Sequence, residues 1–155
     1  MNILDAFKDI ERLELKLLEL YLHFKSVFSD DTAAANMFEK LSDEEKSHYD
    51  LIQYQRRIVQ QNQKLFKDVH IDVNEVRAVT SDVESIIKRI PPPSLSEAIK
   101  IAIDVESSAA EAHYRISMEQ SNQVFSDFLK HLGASDKEHF GLLREFAESR
   151  GFSSR

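Results

Sequence analysis

The 155-residue sequence contains no cysteine and only three glycines and three prolines. The lack of cysteine excludes disulfides, thiol chemistry, zinc fingers and cysteine-ligated iron. Sheet proteins need many tight turns, and glycine and proline are the residues that usually form them. Because the three prolines are also consecutive, at positions 91–93, the composition predicts a few long helices in a single domain spanning residues 1–155.

The sequence also lacks an excess of basic residues and any long apolar run. Its net charge is −7, which disfavours nucleic acid as a partner because no surplus of cations is available to release counterions. No apolar run approaches the length that spans a bilayer. The N-terminal segment carries charges from Asp5 onward and has no signal-peptide pattern. We therefore expect a cytoplasmic protein that binds neither nucleic acid nor membrane.

Apolar residues recur at the three- and four-residue spacing that is typical of one helix face. Together with the capping signals, this spacing predicts long helices over residues 3–28, 33–63, 94–120 and 122–150. Residues 29–32 supply an N-cap, Ser94 and Glu97 have the spacing of a capping box, and Gly151 occupies the C′ position. The connection over residues 64–90 is too long for a turn and should contain a helix of its own. The predicted fold is an all-α antiparallel four-helix bundle with a long, partly helical crossover between helices two and three.

The sequence contains an internal repeat. Glu106 follows Glu14 by 92 residues, and the Asp136–His139 pair follows the Glu45–His48 pair by 91 residues. Helices one and two are therefore repeated as helices three and four. A long crossover is the connection that lets two such hairpins pack against each other in an antiparallel bundle.

Each half of the repeat carries an acid and a histidine three residues apart. Glu45 with His48 and Asp136 with His139 place both side chains on one face of a helix, and that face is apolar in both cases. Burying an ionised carboxylate in an apolar seam costs many kcal/mol unless it is compensated. A changed protonation state, an ion pair or a metal ion can each provide that compensation.

Glu14 and Glu106 complete the pattern, since each interrupts the apolar face of its helix. Carboxylate-bridged two-metal sites in helix bundles use one acid from each of two helices and an acid-x-x-His pair from each of the other two. This sequence offers the same set. Four carboxylates neutralise two divalent ions, and two imidazoles favour iron, manganese or zinc over magnesium and calcium. The predicted ligands are Glu14, Glu45, His48, Glu106, Asp136 and His139. The alternatives are metal-free ion pairs for the two acid–histidine pairs and a solvated helix face for Glu14 and Glu106.

These residues resemble the rubrerythrin branch of the ferritin-like superfamily over nearly the whole chain. That branch has a Glu with a Tyr seven residues later, here Glu14 and Tyr21, followed by Glu-x-x-His in the next helix. The resemblance implies a ferritin-like bundle that binds two metal ions, with iron as the first candidate. It also implies reduction of peroxide or dioxygen, or oxidation of ferrous iron, with electrons from a separate donor. Tyr21 is the catalytic candidate, as the residue that hydrogen-bonds and orients a ligand carboxylate.

His113 stands seven residues after Glu106 and is the candidate for a further cofactor-binding residue. It could donate a hydrogen bond to a ligand, act as an extra ligand or lie at the edge of the bundle, and we favour the first role. Two features depart from the family. The fourth-helix acid is Asp136 instead of Glu, so we expect the metal beside Asp136 and His139 to be the weaker one and Asp136→Glu to tighten it. The chain also has no cysteines for a rubredoxin-like domain.

Three functions remain open from the sequence, and the weakest of them is a metal-free interaction scaffold. One is a redox enzyme of the non-haem di-iron peroxidase or ferroxidase type, which we expect to be a homodimer. Another is a non-catalytic module for metal binding, storage or sensing, and the short Asp136 side chain is its motivation.

Overall fold

The structure is a computed structural model that describes residues 2–67, 69–120 and 122–152. Position 68 of the predicted connection and the two ends of the predicted domain 1–155 lie outside the described residues. Six helices are described, and no strand occurs in these ranges. They are α1 (Ile3–Val27), α2 (Thr32–Gln61), α3 (Gln63–Phe66), α4 (Asn74–Ile87), α5 (Leu95–Met118) and α6 (Gln123–Ser149). The predicted all-α class is therefore confirmed.

The four predicted long helices correspond to α1, α2, α5 and α6, with ends that differ by one or two residues. Their starts are set by side-chain caps: Asn2, Asp31, Ser94 and Asn122 each accept a hydrogen bond from a backbone N–H three residues later. Such a cap satisfies one of the free N–H groups at a helix start. Gly151 follows α6 with φ of 69°, the left-handed conformation expected of a C′ glycine.

The connection between the halves holds two helices where the sequence predicted one. The predicted helix is α4, whose buried face comprises Val76, Val79, Thr80 and Val83. The additional helix, α3, is a single turn that buries only Phe66, so it leaves no apolar periodicity to be recognised in the sequence. None of the helices in the described part of the chain has the length and hydropathy of a membrane span.

The helices pack as two pairs, α1 with α2 and α5 with α6, and α4 packs against both α1 and α5. Ion pairs hold α4 in place: Arg12 lies 2.7 Å from Glu84, Arg77 lies 2.9 Å from Asp9, and Arg115 pairs with Glu75. These pairs are solvent-exposed, and exposed ion pairs contribute little to stability. The apolar face of α4 therefore provides most of its attachment.

Aromatic rings fill the core toward both ends of α1. Phe7 packs against Phe125 and Phe128 of α6, with ring centroids 5.5 and 5.8 Å apart. Toward the other end, Phe24 packs against Phe38 of α2 at 5.4 Å. Glu14 lies between these two apolar regions along α1. Polar groups at its level are thus enclosed by apolar packing above and below.

Candidate metal centre

The structure brings all six predicted ligands into one buried cluster. The four carboxylate side chains of Glu14, Glu45, Glu106 and Asp136 are 0% exposed, and His48 and His139 are also buried. Each comes from the helix that the repeat assigned to it, so α1, α2, α5 and α6 all contribute. The solvated-face alternative for Glu14 and Glu106 is therefore wrong.

One half of the cluster consists of Glu14, Glu45 and His48. The Nδ1 atom of His48 lies 3.7 Å from Oε2 of Glu14 and 3.4 Å from Oε2 of Glu45. The three-residue spacing along α2 places Glu45 and His48 on one face, and α1 brings Glu14 opposite them. Together they offer three ligand atoms that surround a common position.

The other half consists of Glu45, Glu106, Asp136 and His139. The Nδ1 atom of His139 lies 3.0 Å from Oε1 of Glu45 and 3.3 Å from Oε1 of Glu106. All four residues offer ligand atoms close enough to hold one ion. Glu45 belongs to both halves through different oxygens, so its carboxylate is placed to bridge two ions.

Tyr21 makes the contact that the sequence predicted for it. Its hydroxyl donates a short hydrogen bond to Oε1 of Glu106, which joins α1 to α5 inside the core. Burial and the neighbouring carboxylates of Glu106 and Glu45 raise the pKa of Tyr21 well above its usual value. The hydroxyl therefore stays protonated and keeps its role as a donor.

His113 is fully buried, so the bundle-edge alternative is wrong. Its Nδ1 atom lies 2.6 Å from Oδ2 of Asp136. Its Nε2 atom lies 3.8 Å from Oε1 of Glu14 and has no hydrogen-bond partner. With Glu14 and Asp136 it forms a third group of ligand atoms next to the two halves described above.

Glu44 is a further candidate site residue that the sequence did not reveal. Its Oε2 atom lies 2.6 Å from Nε2 of His139, on the side away from Glu45 and Glu106. A carboxylate in this position fixes the tautomer and orientation of a metal-binding histidine. The repeat gave no signal for Glu44, because the position that corresponds to it in the second half is Ser135.

The cluster contains many polar atoms without partners. Eight of its buried atoms make no hydrogen bond: both oxygens of Glu14 and Glu45, Oε2 of Glu106, Oδ1 of Asp136, Nδ1 of His48 and Nε2 of His113. Each buried polar atom left unpaired costs about 1–3 kcal/mol. Metal ions would satisfy these atoms together, and the four carboxylates would balance the charge of two divalent ions. The donor set therefore fits a pair of metal ions.

The protonation of the cluster reflects its concentrated negative charge. Burial and the nearby Glu14 carboxylate raise the pKa of Glu45 well above its usual value. Burial also raises the pKa of Asp136 to about 7, although His113 opposes the shift. Burial would raise the pKa of Glu14, but the neighbouring Glu45 and His48 side chains lower it to about 2. Burial would lower the pKa of His139, but the carboxylates of Glu106 and Glu45 raise it to about 11. Without metal, the cluster thus retains protons that a cation would displace.

A cleft between α5 and α6 lies beside the cluster. Its volume is about 540 Å³, and Glu106 is one of its lining residues. The wall is mostly apolar, with Ala110, Tyr114, Met118 and Phe140, and Lys137 lies beside it. Small molecules could approach the Glu106 side of the cluster through this cleft.

Comparison with known proteins does not identify a relative of this chain. Scans against protein-family models, curated proteins and solved structures each return no match. The functional argument therefore depends on the geometry of the cluster.

Proposed function

We propose that this chain is a ferritin-like, rubrerythrin-like helix-bundle protein that binds two metal ions, with iron as the first candidate. We further propose that it reacts with a small oxidant, peroxide or dioxygen, or oxidises ferrous iron. The observation that carries this proposal is the convergence of eight unpartnered buried atoms from four helices at one position in the core. An apolar core has no structural need for such atoms, and a pair of cations would satisfy them.

The residues divide into two overlapping ligand sets. Glu14, Glu45 and His48 would hold one ion, and Glu45, Glu106, Asp136 and His139 would hold the other. Two ferrous ions in this site would supply the two electrons that reduce one peroxide molecule to water with the uptake of two protons. Electrons for the next turnover would come from a separate donor, since the chain has no cysteines for a second iron centre.

The surrounding residues would control the geometry and the access of solvent. Tyr21 holds the Glu106 carboxylate by its hydrogen bond, and Glu44 holds the ring of His139. The phenylalanine groups on both sides of the cluster limit entry of water along the bundle axis. The cleft beside Glu106 would be the route for a small oxidant.

The test is anaerobic titration of the metal-free protein with ferrous iron, followed by addition of hydrogen peroxide. We expect about two iron ions per chain and a rapid change in absorbance when peroxide is added. Glu106→Gln should lose one of the two ions. Glu111→Gln, a matched change at an exposed position on the same helix, should bind iron as the parent does. Binding of iron by the parent that is no tighter than binding by Glu106→Gln would overturn the proposal.

A non-catalytic metal-binding module is the second candidate, and the contact of His113 with Asp136 favours it. One oxygen of Asp136 is already engaged by that histidine, at 2.6 Å, so the two halves of the cluster are not equivalent. Iron that binds but does not respond to peroxide, or a marked preference for zinc in competition, would support this function over the redox function.

A further inference from the structure

His113 and Asp136 are two of the positions at which the internal repeat changes chemistry at the cluster. His113 corresponds to Tyr21 at the offset of 92 residues, and Asp136 corresponds to Glu45 at the offset of 91 residues. Both changes meet in one contact, since Nδ1 of His113 lies 2.6 Å from Oδ2 of Asp136. The two residues that differ from their counterparts in the first half therefore contact each other, and we treat them as one unit.

The two repeat-related side chains reach across the core in opposite directions. Tyr21 on α1 reaches Glu106 on α5, and His113 on α5 reaches toward Glu14 on α1. The chemistry of the two contacts differs. Tyr21 donates a hydrogen bond to a carboxylate oxygen, while Nε2 of His113 is 3.8 Å from Oε1 of Glu14, too far for a hydrogen bond. A hydrogen bond to Glu14 therefore does not account for the position of Nε2.

A shared cation does account for it. Ligand atoms that bind one ion at about 2.0–2.2 Å lie roughly 3–4 Å from each other. The separation of His113 Nε2 from Glu14 Oε1, at 3.8 Å, falls in this range, as does the 3.7 Å between His48 Nδ1 and Glu14 Oε2. Nε2 of His113 and both oxygens of Glu14 are buried and unpartnered.

The contact with Asp136 prepares Nε2 for this role. A separation of 2.6 Å between Nδ1 and a carboxylate oxygen requires a hydrogen between them, and the imidazole ordinarily carries it. A neutral ring with its hydrogen on Nδ1 has a free lone pair on Nε2. The carboxylate–histidine–metal arrangement, in which a carboxylate orients a ligand imidazole, is common in metal sites.

From this geometry we infer that His113 is a metal ligand through Nε2, on the Glu14 side of the centre, and that Asp136 positions it through Oδ2. This inference rests on the proposed two-metal function. Glu14 would then lie between two histidines, with His113 facing Oε1 and His48 facing Oε2, while the other side has His139 as its one histidine. The centre is therefore asymmetric in its ligands even though it arises from a repeat.

The direct test is nitrogen NMR of histidine-labelled protein during titration with zinc alone. We expect the Nδ1 signals of His48 and His139 and the Nε2 signal of His113 to move to positions typical of metal-bound nitrogen. His113 should move with the same metal equivalent as His48. If His48 and His139 respond and Nε2 of His113 does not, or if His113 follows His139, the inference is wrong while the two-metal site stands. If none of the three responds, the proposed metal site itself is wrong.

Variants provide a second test that separates a ligand from a residue that acts through Asp136. His113→Gln should weaken binding of the ion on the His48 side by roughly tenfold or more and leave the His139 side nearly unchanged. The matched control is His131→Gln, which changes an exposed histidine on α6 and should have no effect on either ion. Weakening confined to the His139 side would show that His113 only orients Asp136, and would overturn the inference.

Discussion

The orientation of His139 depends on a single partly exposed carboxylate. Glu44 contacts Nε2 of His139 at 2.6 Å, while Nδ1 of the same ring faces Glu45 and Glu106. If Glu44 accepts the Nε2 hydrogen, Nδ1 is free to bind a metal ion. The residue thus selects the tautomer that the proposed centre needs.

Glu44→Ala is therefore expected to weaken the metal ion on the His139 side by about 10–100-fold, the usual effect of removing such a partner. The ion on the His48 side should bind as in the parent. Competition with a chelator of known affinity measures both constants. The control is Asp43→Ala, which removes the same charge from the exposed neighbouring position. An equal loss of affinity in the control would indicate a general electrostatic effect instead of orientation of His139.

Asp136 can be lengthened only if His113 changes with it. The sequence alone led us to expect that Asp136→Glu would tighten the nearby metal, but Oδ2 of Asp136 already lies 2.6 Å from His113. An extra methylene group at this buried contact is overpacked, which typically costs about 1–3 kcal/mol. We expect Asp136→Glu to destabilise the metal-free protein, and the double variant with His113→Tyr, which restores the repeat, to recover part of the loss.

Urea unfolding of the parent, both single variants and the double variant measures this coupling. We expect a favourable interaction energy of about 0.5–3 kcal/mol between the two substitutions, the usual range for residues in contact. Strictly additive effects would show that the two positions vary independently, and the interpretation of His113 and Asp136 as one unit would then fail.

Much of the cluster was predictable at the residue level, and the reason is periodicity. The three-residue spacing of acid and histidine predicted which side chains of α2 and α6 lie on the buried faces of those helices. The repeat between the two halves predicted the matching acids on the other two long helices. Tyr21 was expected from the family resemblance to contact a carboxylate of the cluster, and it contacts Glu106. Glu44 could not be found in this way, because its partner lies on another helix and the repeat has Ser135 at the corresponding position.

At the level of helices, Gly133 permits the close packing of α6 on α5. A Cβ atom at this position would lie 2.9 Å from Cε2 of the Tyr114 ring. Gly133 is buried in the middle of α6, where glycine costs about 1 kcal/mol of helix propensity relative to alanine. The helix therefore gives up some intrinsic stability in exchange for space beside Tyr114.

We therefore expect the effect of Gly133→Ala on the stability of the protein to change sign with the residue at position 114. In the parent, the substitution should destabilise the protein by about 1–3 kcal/mol, because the added methyl group overpacks against the ring. In a Tyr114→Ala background the same substitution should stabilise by up to about 1 kcal/mol. Chemical unfolding of the four proteins tests this. Stabilisation by Gly133→Ala in both backgrounds would show that Tyr114 moves aside without cost into the neighbouring cleft.

The ends of the long helices could be predicted within one or two residues because capping residues mark them in the sequence. Asp31, Ser94 and Gly151 mark ends that the structure confirms. The single turn of α3 had no such marks, since Asn62 makes no side-chain capping hydrogen bond to it. The position of α4 against both α1 and α5 also could not be derived, because it depends on contacts between residues up to 72 positions apart, such as Arg12 with Glu84.

For the molecule as a whole, the cluster joins the two repeated halves. Glu14, Tyr21 and Glu45 come from the first half and meet His113, Glu106 and His139 from the second. Ions bound at this junction would hold the halves together and should stabilise the fold by mass action. At a free metal concentration 100 times the dissociation constant the gain is about 2.7 kcal/mol. A domain of this size shifts by roughly 2–4 °C per kcal/mol, so we expect a rise in Tm of about 5–11 °C.

Glu45→Gln is the matched control for this thermal measurement. The pKa of Glu45 is raised well above its usual value, which favours the neutral form without metal, so a neutral amide should be tolerated there. We expect the variant to unfold near the parent's temperature without metal and to lose most of the rise when metal is added. A full rise in Glu45→Gln would mean that the stabilising ions bind elsewhere.

The pH dependence of stability should differ between the metal-free and metal-bound protein. For His139, a pKa raised to about 11 means that the stability it contributes is present below its unfolded value of 6.5 and declines as pH rises toward 11. For Asp136, a pKa raised to about 7 means that the folded state binds a proton more tightly, so stability declines as pH rises from about 4 to about 7. Without metal, these two groups make Tm fall as the pH increases from about 6 to about 8.

With metal, the same protons compete with the ions, so raising the pH should tighten binding. We expect the difference in Tm between metal-saturated and metal-free protein to grow steadily over this pH range. Calorimetric titration in buffers of different ionisation enthalpy should also show that protons are released as metal binds. Glu14 does not reverse the trend, because its pKa is lowered to about 2 and its contribution is lost only as pH falls below about 4.5. A difference in Tm that stays constant across the range, with no proton release, would show that metal binding does not displace protons from the Glu45, Asp136 and His139 cluster.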